Sequence, residues 1–381
     1  MKINVEKSAI LEAALPSAGF ASGKNTIAAT EGILFSTVGA DTCELCAYDL
    51  EKGMKTSVNC TVLEEGRGII NCQRFIQIVR AMPEGILTIE INEGARRARI
   101  TGGKAEFELQ AIDGKSFPDL PELRGDRGFL AKQKDFRRLL TKTQFAIAVN
   151  AQRPEINGLN LKVKDGTLTA VSCDGNRLAV FSEKRELESI GTSELAFDII
   201  LPGKTVNELL RFVSDTENEM KMYVARKHVV FFIGSFVLFS RLIDAQYIDY
   251  ERFIPKSPKI FAEVNTASML GALERALLVT EERHQGELRS PVICLFEGNE
   301  LSVSSSSISG RVNDVMAIKK EGEDLEIGFN CRFLADALRV CDSEHIRISM
   351  TSALMGMTIE PVEIEEGKRF LLLVLPVRLN K

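Results

Sequence analysis

One stretch of this chain is written three times, and that repetition constrains the fold more than anything else in its 381 residues. Residues 197–213 read FDIILPGKTVNELLRFV: a short apolar strand, a break, then an amphipathic helix carrying Arg211. Residues 68–82 read GIINCQRFIQIVRAM, with Arg80 in the same place, and residues 325–341 read LEIGFNCRFLADALRVC, with Arg339. The arginines are spaced 211 − 80 = 131 and 339 − 211 = 128 residues apart. That period is too long for a solenoid repeat and is about the size of a small domain. The chain therefore reads as three tandem copies of one domain.

The order of elements around each stretch repeats as well. In the first copy an Ile3/Val5 strand leads into a helix with Ile10, Leu11 and Ala14 on one face, closed by Pro16 and Gly19. Strands at 32–37, 44–50 and 55–62 follow, then the strand–helix unit 69–82, then period-two segments at 87–91 and 107–111. The second copy has a basic helix at 132–145, strands at 157–163, 168–173 and 177–182, a helix at 202–213 and strands at 220–224 and 228–242. The third has a helix at 266–278, strands from 292 to 317, a helix at 331–340 and strands from 346 onward. Two proline-bearing stretches without periodicity, 115–127 and 247–259, read as linkers. Each follows an Ile-Asp pair, Ile112-Asp113 and Ile243-Asp244, and 244 − 113 = 131. The expected class is α+β, with two helices covering one face of antiparallel strands in each domain. Domain boundaries are expected at 1–120, 128–252 and 255–381.

No apolar run reaches membrane-spanning length, and the amphipathic opening, with Lys2, Glu6, Lys7 and Glu12, lacks the apolar core of a signal peptide. The expected location is cytoplasmic, and the eight cysteines are expected to be buried thiols.

Catalytic and cofactor motifs are wanting. The pairs Gly103-Lys104, Gly114-Lys115 and Gly203-Lys204 lack the glycine five positions earlier that a phosphate loop needs; Ala98, Leu109 and Asp198 stand there. Cys43 and Cys46 lie three apart on an expected strand and so point to opposite faces, which argues against shared zinc ligation. His228, His284 and His345 each sit among charged residues, read as solvated surface and have no adjacent nucleophile. No catalytic residue, cofactor or metal is expected. The turn Cys173-Asp174-Gly175-Asn176-Arg177-Leu178 is read first as an Asp-Gly hairpin, and second as a loop offering Arg177 and Leu178 to a partner. The terminal LLLVLPVRL is read as an edge strand on which a peptide can dock.

The net charge of −5 argues against a nucleic-acid partner only if charge is evenly spread. The six expected helices together carry +7, leaving −12 on the remainder, and the 132–145 helix supplies +4 of the excess. A helical layer of one sign on a body of the other suits contact with a DNA backbone without base readout.

Four separated segments resemble a known family, the beta subunits of bacterial DNA polymerase III, or sliding clamps. They are CDGNRLAV (173–180), YIDYERFIP (247–255), IGFNCRFLADAL (327–338) and VLPVRL (374–379). The resemblance runs through all three copies. It implies a head-to-tail ring homodimer of the DNA clamp fold that encircles duplex DNA, binds it without sequence preference and performs no chemistry. A clamp loader opens such rings. The replicative polymerase catalytic subunit and other clamp-binding-motif proteins dock in a groove between the second and third domains. Carried over by motif, the groove residues are Ile156, Gly175, Asn176, Arg177, Leu178, Arg252, Phe253, Asn330, Phe333, Leu354, Val374, Leu375, Pro376, Val377, Arg378 and Leu379. The DNA-side residues are Lys24, Arg74, Arg80, Arg153 and Lys204, and the apolar dimer candidates are Phe107, Leu278 and Val279. The chain departs from the family pattern at Asn176, where histidine is common, at Ile248, where proline is common, and through 281–290. Without the resemblance, the residues leave two other readings open: a three-domain scaffold that binds proteins but not DNA, and a metalloenzyme built on the cysteines, which a zinc assay separates.

Overall fold

The fold comes from a computed structural model that describes residues 1–23, 27–92, 94–280, 290–308 and 310–379. Lys24, His284 and nearly all of the 281–290 stretch lie outside the described residues. The first copy runs β1 (Lys2–Glu6), α1 (Lys7–Ala14), β2 (Gly32–Val38), β3 (Thr42–Tyr48), β4 (Lys52–Asn59), β5 (Thr61–Glu64), β6 (Arg67–Asn71), α2 (Cys72–Ala81), β7 (Ile86–Asn92), β8 (Arg97–Gly102) and β9 (Ala105–Asp113). The second runs β10 (Arg127–Lys132), α3 (Gln133–Thr143), β11 (Gly158–Lys164), β12 (Thr167–Cys173), β13 (Arg177–Lys184), β14 (Glu188–Ser189), β15 (Phe197–Pro202), α4 (Gly203–Phe212), β16 (Glu219–Val224), β17 (His228–Ile233) and β18 (Phe236–Arg241). The third runs β19 (Ile260–Asn265), α5 (Thr266–Thr280), β20 (Val292–Glu297), β21 (Glu300–Ser307), β22 (Gly310–Ala317), β23 (Lys319–Glu321), β24 (Leu325–Phe329), α6 (Cys331–Arg339), β25 (His345–Met350), β26 (Met357–Pro361) and β27 (Lys368–Val374). The order β-α-five β-α-three β occurs three times.

Every copy builds the same two antiparallel sheets. One has five strands, ordered β5-β1-β7-β8-β9 in the first copy; the other has four, ordered β6-β2-β3-β4. The last strand then bends toward its own four-stranded sheet at one equivalent place. Ile112 pairs with Ile69, Ile243 N–H donates to the Ile200 carbonyl, and Val377 bridges to Gly328.

Copies are joined by a second rule. The outer strand of one four-stranded sheet pairs with the last strand of the following copy: β4 with β18, and β13 with β27. The molecule thereby divides into two compact units. One comprises Met1–Gln133, Glu188–Leu195 and Thr216–Leu242, and the other comprises Lys134–Leu187, Ala196–Asp215 and Ile243–Lys381.

Burial follows the periodicities. In the first copy, Ile10 and Ala14 of α1 and Phe75, Ile76 and Val79 of α2 meet Ile3, Val5, Ile33, Phe35, Leu45, Leu87, Ile89 and Ile100 from both sheets in one core. Phe75 lies edge-on to Phe35 at 4.9 Å, and truncating so enclosed a ring costs about 3–5 kcal/mol. The helix ends are tied down by side chains. Asn71 accepts from Arg74 N–H and Asn330 from Arg332 N–H, both at 3.1 Å, capping α2 and α6.

Some sequence expectations are corrected. β10 and β19 begin where the two expected linkers end, over residues to which the sequence reading gives no strand; each is only six residues long. The linkers are themselves covers. Phe117, Leu120 and Leu123 pack on Tyr48, Val230 and Phe239 over the β4–β18 pairing. Tyr247, Tyr250 and Ile254 pack on Val171, Leu178, Val180, Leu371 and Leu373 over the β13–β27 pairing. The terminal strand is not an edge, since β27 is paired on both sides, by β13 and β26. His228 and His345 are half-buried strand residues, opposite Arg241 and Asn265. Desolvation, with Arg241 and Lys227 nearby, pulls the His228 pKa below 6.5.

Candidate functional site

The hairpin β12–β13 is the centre of the candidate groove. Asp174 accepts hydrogen bonds from Asn176 N–H (2.9 Å) and Arg177 N–H (3.0 Å), and Gly175 takes φ +91°, a left-handed value that an L side chain strains to adopt. Asp-Gly is thus read correctly as a tight turn. Arg177, however, is not held out to solvent; its side chain is 12% exposed. The guanidinium donates to Asp174 Oδ2 (2.9 Å) and Asp336 Oδ2 (2.8 Å) and lies over the rings of Phe333 (4.5 Å) and Phe145 (5.3 Å). One side chain therefore ties the hairpin of the second copy to α6 of the third.

The strand register brings the other motif residues alongside. Arg177 is opposite Val374 and Leu178 opposite Leu373, both in the buried part of the wall. Leu375 N–H donates to the Asn176 carbonyl, and Val377 N–H to the Gly328 carbonyl, each at 2.8 Å. A Cβ on Gly328 would come within 2.6 Å of the Leu379 side chain, so glycine is what lets that leucine lie down there. Leu375, Val377 and Leu354 are exposed at 40, 42 and 71%, and Phe253, in the 247–259 stretch, at 58%. Leu354 stands in the turn whose Gly356 closely approaches Leu375. Pro376 is half-buried and Arg378 exposed.

Three motif residues have other local work. Asn330 spends its side-chain oxygen capping α6, Arg252 turns to Asp249 at 2.6 Å, and Ile156 is buried in a short 3-10 turn. The residues that sequence reasoning missed are Tyr247, Tyr250 and Ile254, which roof the slot floor. Burial raises both tyrosine pKa values, and the Tyr247 hydroxyl is enclosed beside the Cys173 backbone. The available signal was the density of large apolar side chains in YIDYERFI, five in eight residues of an expected linker.

On the helices, Arg74 and Arg80 of α2 and Lys204 of α4 are exposed. Arg153 is exposed but paired with Glu155 at 2.7 Å; a hydrogen bond from its own backbone N–H, and after it the guanidinium, lower the Glu155 pKa. The helix that supplied most of the sequence-level basic excess is spent internally. Arg137 donates to the Leu210 and Val213 carbonyls at 2.8 Å, closing the end of α4, while Lys142 is buried against the Val340 carbonyl and Asp342. Arg138 meets Glu183 at 3.1 Å, and Lys132 meets Glu217 at 2.8 Å. Counting charge along a helix could not distinguish outward cations from capping ones.

Of the dimer candidates, Phe107 is 38% exposed on β9 and Leu278 76% exposed in the last turn of α5, with Val279 half-buried beside it. Among the described residues no group of three or more His, Cys, Asp or Glu is placed to hold a metal ion. Burial pushes the thiols of Cys43, Cys46, Cys72, Cys294 and Cys341 up to about 12, the behaviour of packing groups rather than nucleophiles.

Three family models cover almost the whole chain. They are those of the DNA polymerase III beta subunit N-terminal domain (residues 1–121), central domain (131–249) and C-terminal domain (251–377). The chain belongs to this family. It is 30% identical over 350 residues to the beta sliding clamp of Halalkalibacterium halodurans, covering 91% of this chain and 89% of that one. It is 27% identical to that of Bacillus subtilis, covering 99% and 100%. Among solved structures, the DNA polymerase sliding clamp of B. subtilis superposes with a TM-score of 0.91 at 26% identity, with both chains fully covered. A DNA polymerase III beta subunit from Eubacterium rectale gives 0.90 at 26%, again over all of both chains. No helix among the described residues is long and apolar enough to cross a membrane.

Proposed function

We propose that two copies of this chain close head to tail around duplex DNA, forming a sliding clamp that keeps the replicative polymerase on its template. The observation that carries this reading is an unfinished pattern. Edge strands β4 and β13 each find the last strand of the next copy, while among the described residues β22 pairs only with β21 and the 105–110 part of β9 pairs only with β8. A second copy supplies each with its partner, and that heterologous contact repeats until it closes. Phe107, Leu278 and Val279 are the apolar residues at this closure. The ring opens only when a clamp loader separates it.

Arg74, Arg80, Arg153 and Lys204, with Lys24, contact the sugar–phosphate backbone. Backbone contact without base readout lets the ring slide. The slot around β13, β27 and the tail 375–379 takes a short peptide from the polymerase catalytic subunit or another clamp-binding protein. Phe253, Leu354, Leu375 and Val377 supply apolar grip, with Leu178 buried in the wall behind them. The chain performs no catalysis and needs no cofactor; it works in the cytoplasm on the chromosome.

The test uses nicked circular DNA with a cognate loader and ATP. Complexes are isolated and the circle is then cut once. Protein that stays on circles and leaves linear DNA is attached topologically. Equal retention on both refutes the ring, and absence of retention with an active loader favours a protein-binding scaffold.

A further inference from the structure

Five side chains of alternating charge run from the groove wall to the exposed end of α6. Arg177 meets Asp174 at 2.9 Å and Asp336 at 2.8 Å, Asp336 meets Arg339 at 3.0 Å, and Arg339 meets Glu274 of α5 at 3.4 Å. All five belong to the same compact unit. Asp336 and Arg339 are three apart on α6 and so share a face. The Asp336 carboxylate is divided between them, Oδ2 accepting from Arg177 and Oδ1 from Arg339. Two guanidiniums on one carboxylate repel each other and compete for its charge. They differ in access: the Arg177 side chain is 12% exposed and that of Arg339 45%.

Comparison of the copies singles this run out. Arg339 is the third writing of Arg80, which the clamp reading sets against the DNA backbone. Three residues before the repeated arginine stand Gln77, Glu208 and Asp336. Glu208 meets Arg211 at 3.0 Å, so the second copy also holds its arginine by a carboxylate. At the first joint Lys52 stands where Arg177 does at the second, because Asp49 accepts from the Glu51 and Lys52 amides as Asp174 does from those of Asn176 and Arg177. Lys52, however, turns to Asp49 and to the Gly19 carbonyl, both in its own copy. Arg177 reaches the next copy, and it does so at the joint that carries the groove.

We infer that Asp336 is a positioning residue that couples DNA contact to the peptide groove. A backbone phosphate drawn to Arg339 takes that guanidinium off Asp336 and leaves the carboxylate to Arg177. The bond that ties the hairpin to α6 strengthens. The groove wall is then ordered before a peptide arrives, and less of the peptide's binding energy is lost in ordering it. By linkage, a bound peptide strengthens the DNA contact by the same factor. This rests on the sliding-clamp reading and goes beyond it: a clamp on DNA grips its partner harder than a free one.

The test is a binding cycle on the full chain. A fluorescein-labelled clamp-binding peptide from the polymerase catalytic subunit is titrated by anisotropy, with and without a saturating short duplex at low salt. The parent is expected to bind the peptide about fivefold more tightly when duplex is present, the lower end of ordinary coupling between sites. Arg339→Gln frees Asp336 permanently, so its duplex-free affinity should equal that of the duplex-bound parent, and duplex should change it by less than about 1.5-fold. A variant damaged in fold would lose affinity instead. Arg211→Gln removes the cation from the same place in the second copy, and the response to duplex should survive it. Peptide affinity that duplex leaves unchanged or weakens in the parent overturns the coupling, as does an Arg339→Gln chain that keeps the response or an Arg211→Gln chain that loses it. A parent chain that binds peptide but no duplex, or duplex but no peptide, overturns the sliding-clamp reading and the coupling with it.

Discussion

Replacing Arg177 by alanine is expected to loosen the groove wall without unfolding the molecule. The guanidinium makes two charge-assisted bonds, to Asp174 and Asp336, at 2.9 and 2.8 Å, in surroundings that leave it 12% exposed. Such bonds contribute about 1.5–3 kcal/mol each, and each aromatic face adds about 0.5–1 kcal/mol. The loss is smaller than that total. Asp336 keeps Arg339 at 3.0 Å, and Asp174 keeps two backbone donors, so neither carboxylate is orphaned. A net cost of about 2–4 kcal/mol remains, equivalent to about 30- to 700-fold more frequent local opening. Hydrogen exchange reads it at the amides of Asn176 and Arg177, which donate to Asp174, and of Leu375, which donates to the Asn176 carbonyl. Exchange in the first-copy core around Phe75 is the internal control and should not change. Arg177→Lys keeps a charge but loses the fork, and is expected to fall between the two. Protection within threefold of the parent at all three amides refutes the reasoning.

Other consequences are open to measurement. Deleting residues 376–381 removes Val377 from the Gly328 carbonyl and Leu379 from its seat; partner-peptide binding by fluorescence anisotropy should be lost while sedimentation still shows a dimer. Arg80→Ala with Lys204→Ala removes four cations per dimer, so the logarithmic salt slope for a short duplex should flatten by about 3.6, and an unchanged slope places these side chains away from DNA. His228 has a folded pKa below 6.5, so the native chain binds less proton than the unfolded one as pH falls through that value. Its contribution to stability therefore declines on acidification, and His228→Gln should show a smaller drop in thermal midpoint between about pH 7.5 and 5.5 than the parent.

The threefold repeat was legible because each copy states the same amphipathic helix in full, and 3.6-residue periodicity survives divergence well. Leu178, Val374 and the tail were legible through their motif. The internal roles of Arg177, Lys142 and Arg137 were not. A basic side chain that caps a distant carbonyl looks identical in sequence to one facing solvent, and its partner lies up to 198 residues away for Lys142 and Val340. The covering role of 115–127 and 247–259 escaped for a related reason. Their apolar residues meet joints between copies, and the pairing of those joints is long-range.

Those joints separate the unit of inheritance from the unit of folding. Sequence multiplied by whole copies, yet the middle copy contributes its five-stranded sheet to one compact unit and its four-stranded sheet to the other. A middle copy cut out at its sequence limits would lose the partners of β13 and β18 together and present two bare strand edges, an invitation to aggregate. The contacts that seal them span 240 − 52 = 188 and 374 − 177 = 197 residues. Closing loops of that length is slow, so the chain has to be largely made before either joint can form. Duplication was modular; assembly of the duplicated chain is not.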